Sequence, residues 1–411
     1  MFLAFKEMAR AKVRFALLVA AVALLVFLIL FQQSLQNGLI TGFIGAIREQ
    51  SAPVLVYSVD GQRVLQGSVI TPSMQEQVRA APGAGEVGRI GQGTFTGLPS
   101  GNADGESFDT TVIGYELGPD GAGIGSPTNV IDGRLPTADG EAVVSDADVR
   151  LGYDIGDTVT LLPGGETIEI VGIAADAQLN VAPTLFASYD TYIDAVASVN
   201  PDAGTPLPNV LGVIPADGFT PQETVASIND QSLDLDALTR EDAAAETPGV
   251  SQVQQSFNII FLLYGLVVPC VTGLFFLIVT FQKANSLTLL RAIGAPAGRL
   301  VSSLLIQVVV IVGAGLIIGT LLYYPLSQGA LGGIALDFET GAVVFWSVLL
   351  LGLVLGLAAG VAAAVALEAR TPHAGSTLQV ERTIGRPVLA SLPGIRGRSH
   401  LSGRAMAGVQ T

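Results

Sequence analysis

The sequence predicts an α+β membrane protein: four transmembrane helices, arranged one plus three, with a large mixed α+β domain between the first and the second. Three observations predict it. Half of the 411 residues are hydrophobic, only 13% are charged, and the mean hydropathy is +0.56, which belongs to membrane chains rather than soluble domains. Four apolar runs, at 14–34, 254–281, 300–323 and 342–367, are long enough to cross about 30 Å of hydrocarbon. The long stretch between the first two runs alternates β-branched segments with Gly, Asp and Pro turns, the pattern of strands with interspersed helices.

Residues 1–13 read as a basic N-terminal helix on the cytoplasmic side. The first span follows as "FALLVAAVALLVFLILF", longer than a secretory h-region. "QQSLQNG" after it offers no small-residue cleavage site, so the span is expected to be a retained anchor. It continues outward to about residue 50, with Leu39, Phe43, Ile44 and Ile47 on one helical face.

The outer domain, 51–253, opens with the strand "PVLVYSV", a turn at "DGQR" and a second short strand. "TPSMQEQVRAAPG" is a helix, with Thr71 as cap, Pro72 in the first turn and Pro82-Gly83 as the stop. Residues 91–126, rich in Gly, Ser and Asp, read as loops around one strand, "DTTVIGYEL". Strands separated by Gly-Asp and Gly-Gly turns fill 130–175, and a further helix-and-strand set occupies 186–240. Beyond the second span lie a cytoplasmic segment at 282–299, the third span, an outer loop at 324–341, the fourth span and a polar tail at 368–411.

Charge orients these spans. Lys6, Arg10, Lys12 and Arg14 precede the first, and Lys283, Arg291 and Arg299 fill the short segment after the second; basic flanks of this kind stay in the cytoplasm. Both termini are therefore expected in the cytoplasm of a multi-pass plasma-membrane protein, with 51–253 outside. The outer domain carries most of the 35 acidic residues and no lysine, which disfavours nucleic acid as a partner. The one cysteine, Cys270, falls in the second span, so the outer domain must be held by its own core without disulfides.

Catalytic chemistry is poorly supported. A phosphate-binding Gly-Lys-Ser/Thr loop needs a lysine in that context, and Lys6, Lys12 and Lys283 lack it. His373 and His400 both lie in the tail, which excludes histidine-based triads and zinc sites outside. The acid pairs Asp146/Asp148 and Asp234/Asp236 read as solvated turns. No span interior carries an ionisable residue, which argues against ion-coupled transport. Gly315 with Gly319, and Gly352, Gly356 and Gly360, recur four apart and mark close helix packing. Polar residues gather at the outer ends of the first two spans. Gln33, Gln254, Asn258, Phe261 and Tyr264 are the candidate rim and lining of an outward-opening cleft between them.

"LTLLRAIGAPAGRLVSSLLIQ" resembles the segment after the second span of the MacB/FtsX-like permeases of ABC transporters, with their "R-A-x-G-A" element. "DGRLPTADGEAVVSDADVRLGYDIGDTVTLL" is similar to their extracytoplasmic core domain, and "FLAFKEMARAKVRFALL" resembles the opening of the haem-exporter and DevC-like branch. The resemblance implies a non-catalytic subunit that dimerises, binds two copies of a cytoplasmic ABC ATPase, and itself holds no cofactor or metal. ATP and Mg would sit on the partner. It further implies that Leu289, Leu290, Arg291, Ala292, Gly294, Ala295 and Arg299 form a coupling helix seated in the ATPase, with Lys6 and Glu7 in a second contact. The implied function is ATP-driven export or extraction of a hydrophobic or amphipathic substrate by mechanotransmission, in contact with membrane lipid. The alternative is an FtsX-like subunit that regulates an outside partner, such as a cell-wall hydrolase, without transport. Two departures stand out: "ALEARTPHAGSTLQVERTIGRPV" matches the family's ending only loosely, and no His or Met in a span offers a haem ligand.

Overall fold

A computed structural model describes residues 12–267, 270, 273–274 and 297–327. The first helix, α1 (Lys12–Arg48), is 37 residues long, about 55 Å at 1.5 Å per residue. It holds the whole first apolar run and its outward continuation, and Arg48 in the last turn complements the helix dipole. Its stretch Phe15–Arg48, and Val309–Leu326 further on, are long and apolar enough to cross a membrane. The run at 254–281 is described mainly as far as 267, and that at 342–367 lies outside the described residues.

After α1 come β1 (Val54–Ser58), α2 (Pro72–Ala80), β2 (Ala84–Pro99), β3 (Phe108–Tyr115), β4 (Val130–Gly133), β5 (Glu141–Ser145), β6 (Thr158–Leu162), β7 (Glu166–Ala174) and β8 (Thr184–Ser188). Next are α3 (Tyr189–Val199), β9 (Val210–Pro215), α4 (Pro221–Asn229), β10 (Leu235–Thr239) and α5 (Arg240–Ala245). Helical residues 250–267 (α6) and α7 (Ala297–Ser327) complete the described chain. Side-chain caps fix several helix starts: Thr71 accepts from the Met74 N–H, Ser188 from Thr191, and Thr220 with Glu223 forms a reciprocal capping box.

The strands form one 10-stranded sheet in the order β10-β1-β9-β2-β3-β8-β5-β7-β4. In addition β6 pairs with both β2 and β7, so β2, β3, β8, β5, β7 and β6 close into a ring. The two faces of these strands serve different cores, because successive strand residues point to opposite sides. Val112, Val144 and Leu185 join a cluster with Val159, Leu161, Ile168 and the α3 residues Tyr189 and Tyr192. Their sequence neighbours Ile113, Val143 and Phe186 face the other way, into a cluster that contains Ile44, Ala46 and Ile47 of α1. The C-terminal end of α1 is thus built into the core of the domain. A third cluster packs α2 and α4 on β1, β9 and β10 through Val78, Ile228, Val56 and Leu211.

Three sequence readings need correction. Residues 91–99, read as loop within 91–126, belong to the 16-residue strand β2. Its glycines make room for a neighbour: a Cβ on Gly91 would lie 2.3 Å from Cε1 of Tyr192. The second short strand after "DGQR" does not form. Instead Ser68 Oγ accepts from the Ser58 N–H at 2.8 Å, closing 59–68 into a compact loop against the end of β1. Finally, Asp148 is not solvated but fully buried.

Candidate functional site: the junction of α1 and the strand-bearing domain

Of the residues that the sequence singles out for ATPase coupling, Lys6, Glu7, Leu289, Leu290, Arg291, Ala292, Gly294 and Ala295 lie outside the described residues, as do Gly352, Gly356 and Gly360. Arg299 falls in the first turn of α7. Gly315 and Gly319 face α1: a Cβ on Gly315 would meet Val22 Cγ1 at 2.5 Å, and one on Gly319 would meet the Ala23 carbonyl oxygen at 2.6 Å. Small residues here let the two backbones approach closely.

The structure places the five cleft residues in different surroundings. Gln33 is buried in α1, and its Oε1 has no partner among the described residues. Tyr264 packs against a cluster of Val26, Ile29, Leu30 and Tyr323, which places α6 beside α1 and α7. Asn258 is exposed, and Phe261 is half-buried. Gln254 lines a groove of about 350 Å³ further out, together with Ile40, Ile44, Arg48, Arg240 and Glu241. This groove joins an apolar floor to charges of both signs.

The junction above that groove is fastened on two sides. On one side the Glu49 carbonyl accepts from the Thr128 N–H at 2.7 Å and from its hydroxyl at 2.9 Å. The Ser51 hydroxyl donates to the Gly123 carbonyl at 2.6 Å, and Arg240 Nη1 donates to the Gln50 carbonyl at 2.7 Å.

On the other side the loop 176–182 grips α1 by its backbone. The Ala46 N–H donates to the Gln178 carbonyl at 2.8 Å, while the carbonyls of Gly42 and Phe43 accept from Val181 at 2.7 Å and from Asn180 at 3.1 Å. Gly42 and Ala46 would be bonded to each other in an undisturbed helix; here each takes a partner from the loop. Gly45 permits the approach, since a Cβ there would lie 2.0 Å from the Asp176 carbonyl oxygen. The loop adopts a strained backbone to reach the helix: Asp176, Asn180 and Val181 have φ of 56°, 55° and 56°.

Behind the loop sits Asp148. One of its carboxylate oxygens accepts from Gln178 Nε2 and the other from the Thr184 N–H at 3.0 Å. Burial pushes its pKa up to about 8; the bonds from Gln178 and Thr184 oppose the shift, and the charge of Asp146 adds to it. Asp146 Oδ1 accepts from the Asp176 N–H at 3.1 Å, and Ser145 Oγ from the Ala177 N–H at 3.2 Å. Sequence reasoning missed this arrangement. The available signal was the Gly42/Gly45 pair within a predicted helix, where glycine costs stability unless something packs against it. Among the described residues no cluster of His, Cys, Asp and Glu could hold a metal ion.

No family model matches the chain. Among solved structures, the periplasmic region of MacB from Actinobacillus actinomycetemcomitans is similar at 12% identity and a TM-score of 0.34, covering 48% of this chain and 92% of that one. The extracellular domain of the noncanonic ABC-type transporter YknZ from Gram-positive bacteria is similar at 14% identity and a TM-score of 0.29, covering 45% and 99%.

Proposed function

We propose that this chain is the permease subunit of a MacB/FtsX-type ABC transporter, itself non-catalytic and driven by ATP hydrolysis on a separate cytoplasmic ATPase. Two permease chains and two ATPases make up the working unit. The segment 282–299, with Arg291 and Gly294, is the seat for the ATPase, and Lys6 and Glu7 contribute a second contact. Work delivered there reaches the outside through the spans, as mechanotransmission, and exports or extracts a hydrophobic or amphipathic substrate.

The observation that carries this reading is the path of α1. A single 37-residue helix runs from the first apolar run into the core of the outer domain, where Ile44, Ala46 and Ile47 are buried. A helix held in this way carries a displacement from its membrane part to the domain. The groove along Ile40, Ile44, Arg48 and Arg240 suits an amphipath, with apolar contacts on one side and charged partners for a head group on the other.

The test is affinity purification of the tagged chain from its native membranes. An ABC ATPase should co-purify and hydrolyse ATP, and Arg291→Glu with Gly294→Val should abolish both its recovery and its stimulation. Unchanged recovery and stimulation in the double variant would refute the coupling assignment.

A further inference from the structure

We infer that the loop 176–182 is a clasp that fastens the membrane helix α1 to the outer domain, and that Asp148 and Gln178 are the positioning residues that keep it closed. The inference deepens the permease reading and rests on it for its functional meaning, but the clasp itself follows from geometry alone.

Three features set this loop apart from an ordinary packed turn. First, it bonds to backbone groups that belong to the hydrogen-bond ladder of a helix, through Gln178, Asn180 and Val181. Displacing α1 along its axis by one residue would break all three bonds at once, whereas side-chain packing could slide. Second, the loop holds three non-glycine residues in the left-handed region, one of them the β-branched Val181. Such a conformation persists only where the surroundings over-determine it. Third, the apolar packing of Ala177 and Leu179 against the core is joined by buried polar chemistry. Gln178 presents its main-chain carbonyl to Ala46 and its side-chain amide to Asp148, so one residue links helix to domain. Asp148, fully buried, also ties down Thr184 at the start of β8, and the Thr184 hydroxyl accepts from the Leu179 N–H at 2.9 Å. The clasp is therefore anchored on β8 and on the turn after β5, within the closed ring of strands. The other fastening, at Glu49 and Ser51, engages 123–128 instead.

A buried carboxyl group that holds a single loop in a strained conformation costs stability that an apolar side chain would not. Its position behind Gln178, which contacts both the helix backbone and the domain, accounts for it as a latch.

Amide hydrogen exchange on the full-length chain in lipid nanodiscs tests the clasp, read by mass spectrometry on peptides covering 42–47 and 177–182. Asp148→Ala should speed exchange in both peptides roughly 10–100-fold, the factor a lost buried hydrogen bond supports, and leave β1 and β3 unchanged. Asp148→Asn, which keeps an acceptor and can pair with a flipped Gln178 amide, should restore near-wild-type exchange. Gln178→Ala leaves the carboxylate in place, removes only the side-chain bond, and should reproduce the local effect if Asp148→Ala fails to fold. Unchanged exchange in both peptides, or equal acceleration across β1 and β3, would overturn the assignment. No ATPase is present in this assay. A failure here therefore counts against the clasp, whereas a failure to recover the ATPase counts against the permease reading.

Discussion

Gly45 of α1 and Asp176 of the domain loop are packed so closely that a Cβ on Gly45 would sit 2.0 Å from the Asp176 carbonyl oxygen. Only a residue without a side chain fits there. Gly42, one turn earlier, has more room: a Cβ there would stand 3.3 Å from both Gln178 Oε1 and Val181 Cγ2, each at the end of a side chain.

These two glycines should therefore respond differently to the same substitution. Gly45→Ala must displace backbone and is expected to destabilise the chain by about 1–3 kcal/mol. Gly42→Ala removes a flexible residue from a helix, a gain of roughly 0.5–1 kcal/mol that offsets its mild crowding. Thermal unfolding of the purified variants should rank Gly45→Ala well below the wild type and Gly42→Ala close to it.

Asp148 predicts a pH dependence. Its pKa stands at about 8 in the folded chain, against about 3.9 when unfolded. Between these values the native state keeps a proton that the unfolded chain has lost. The stabilisation is complete below the lower value, declines as pH rises through the interval, and is gone above the higher one, with a slope of at most about 1.4 kcal/mol per pH unit. Asp146 and Tyr153 are the titratable groups coupled to it electrostatically. Melting temperature measured from about pH 5 to pH 8 should fall more steeply for the wild type than for Asp148→Asn, which has no proton to lose.

Arg134 and Glu141 predict the opposite sign at low pH. Arg134 donates through Nη2 and Nη1 to the two oxygens of Glu141, at 2.5 Å and 2.7 Å, and the Thr137 N–H adds a third bond. The Arg134 bond, with help from Thr137, holds the Glu141 carboxyl down at about 2. Its contribution is present above the ordinary glutamate value and is lost as pH falls toward 2. Glu141→Gln should narrow the loss of stability on acidification, read as melting temperature between about pH 5 and pH 2.5.

Gly315 and Gly319 should govern how α7 seats on α1. A Cβ on either would collide with Val22, Ala23 or Val26. Gly319→Leu is expected to force the helices apart and lower the melting temperature of the chain in detergent. Ile317→Leu, on the same helix but at 64% exposure, should leave it unchanged.

Parts of this structure were legible in the sequence for plain reasons. The outward extension of α1 was visible because Leu39, Phe43, Ile44 and Ile47 recur at helical spacing, and the cap at Thr71 because Pro72 follows it. The 16-residue β2 was hidden by its own glycines, which read as turns until the Tyr192 ring that fills their space is known. Asp148 was hidden because it sits two residues from Asp146 in a short 3-10 turn, where one acid faces outward and the next is turned into the core. The clasp depends on pairing residues 42–46 with 176–182, a long-range contact that no local pattern records. Of the cleft residues, Tyr264 packs on the cluster of α1 and α7, and Gln254 lines the groove beside Ile40 and Ile44 of α1. The segment expected to couple to the ATPase lies outside the described residues except for 297–299.

The central claim, that α1 and the outer domain move as one body, is tested most directly by a distance between them. Spin labels at Leu28→Cys in the span and at Leu233→Cys on the exposed domain surface, with the single native cysteine replaced by Cys270→Ser, report that distance in lipid nanodiscs by pulsed electron resonance. With labelled chain diluted into unlabelled chain so that only the pair within one protomer is read, a rigid junction predicts one narrow distance distribution in the otherwise wild-type chain and a broadened one when Asp148→Ala is added. A broad distribution without Asp148→Ala, or one that Asp148→Ala leaves unaltered, would contradict it.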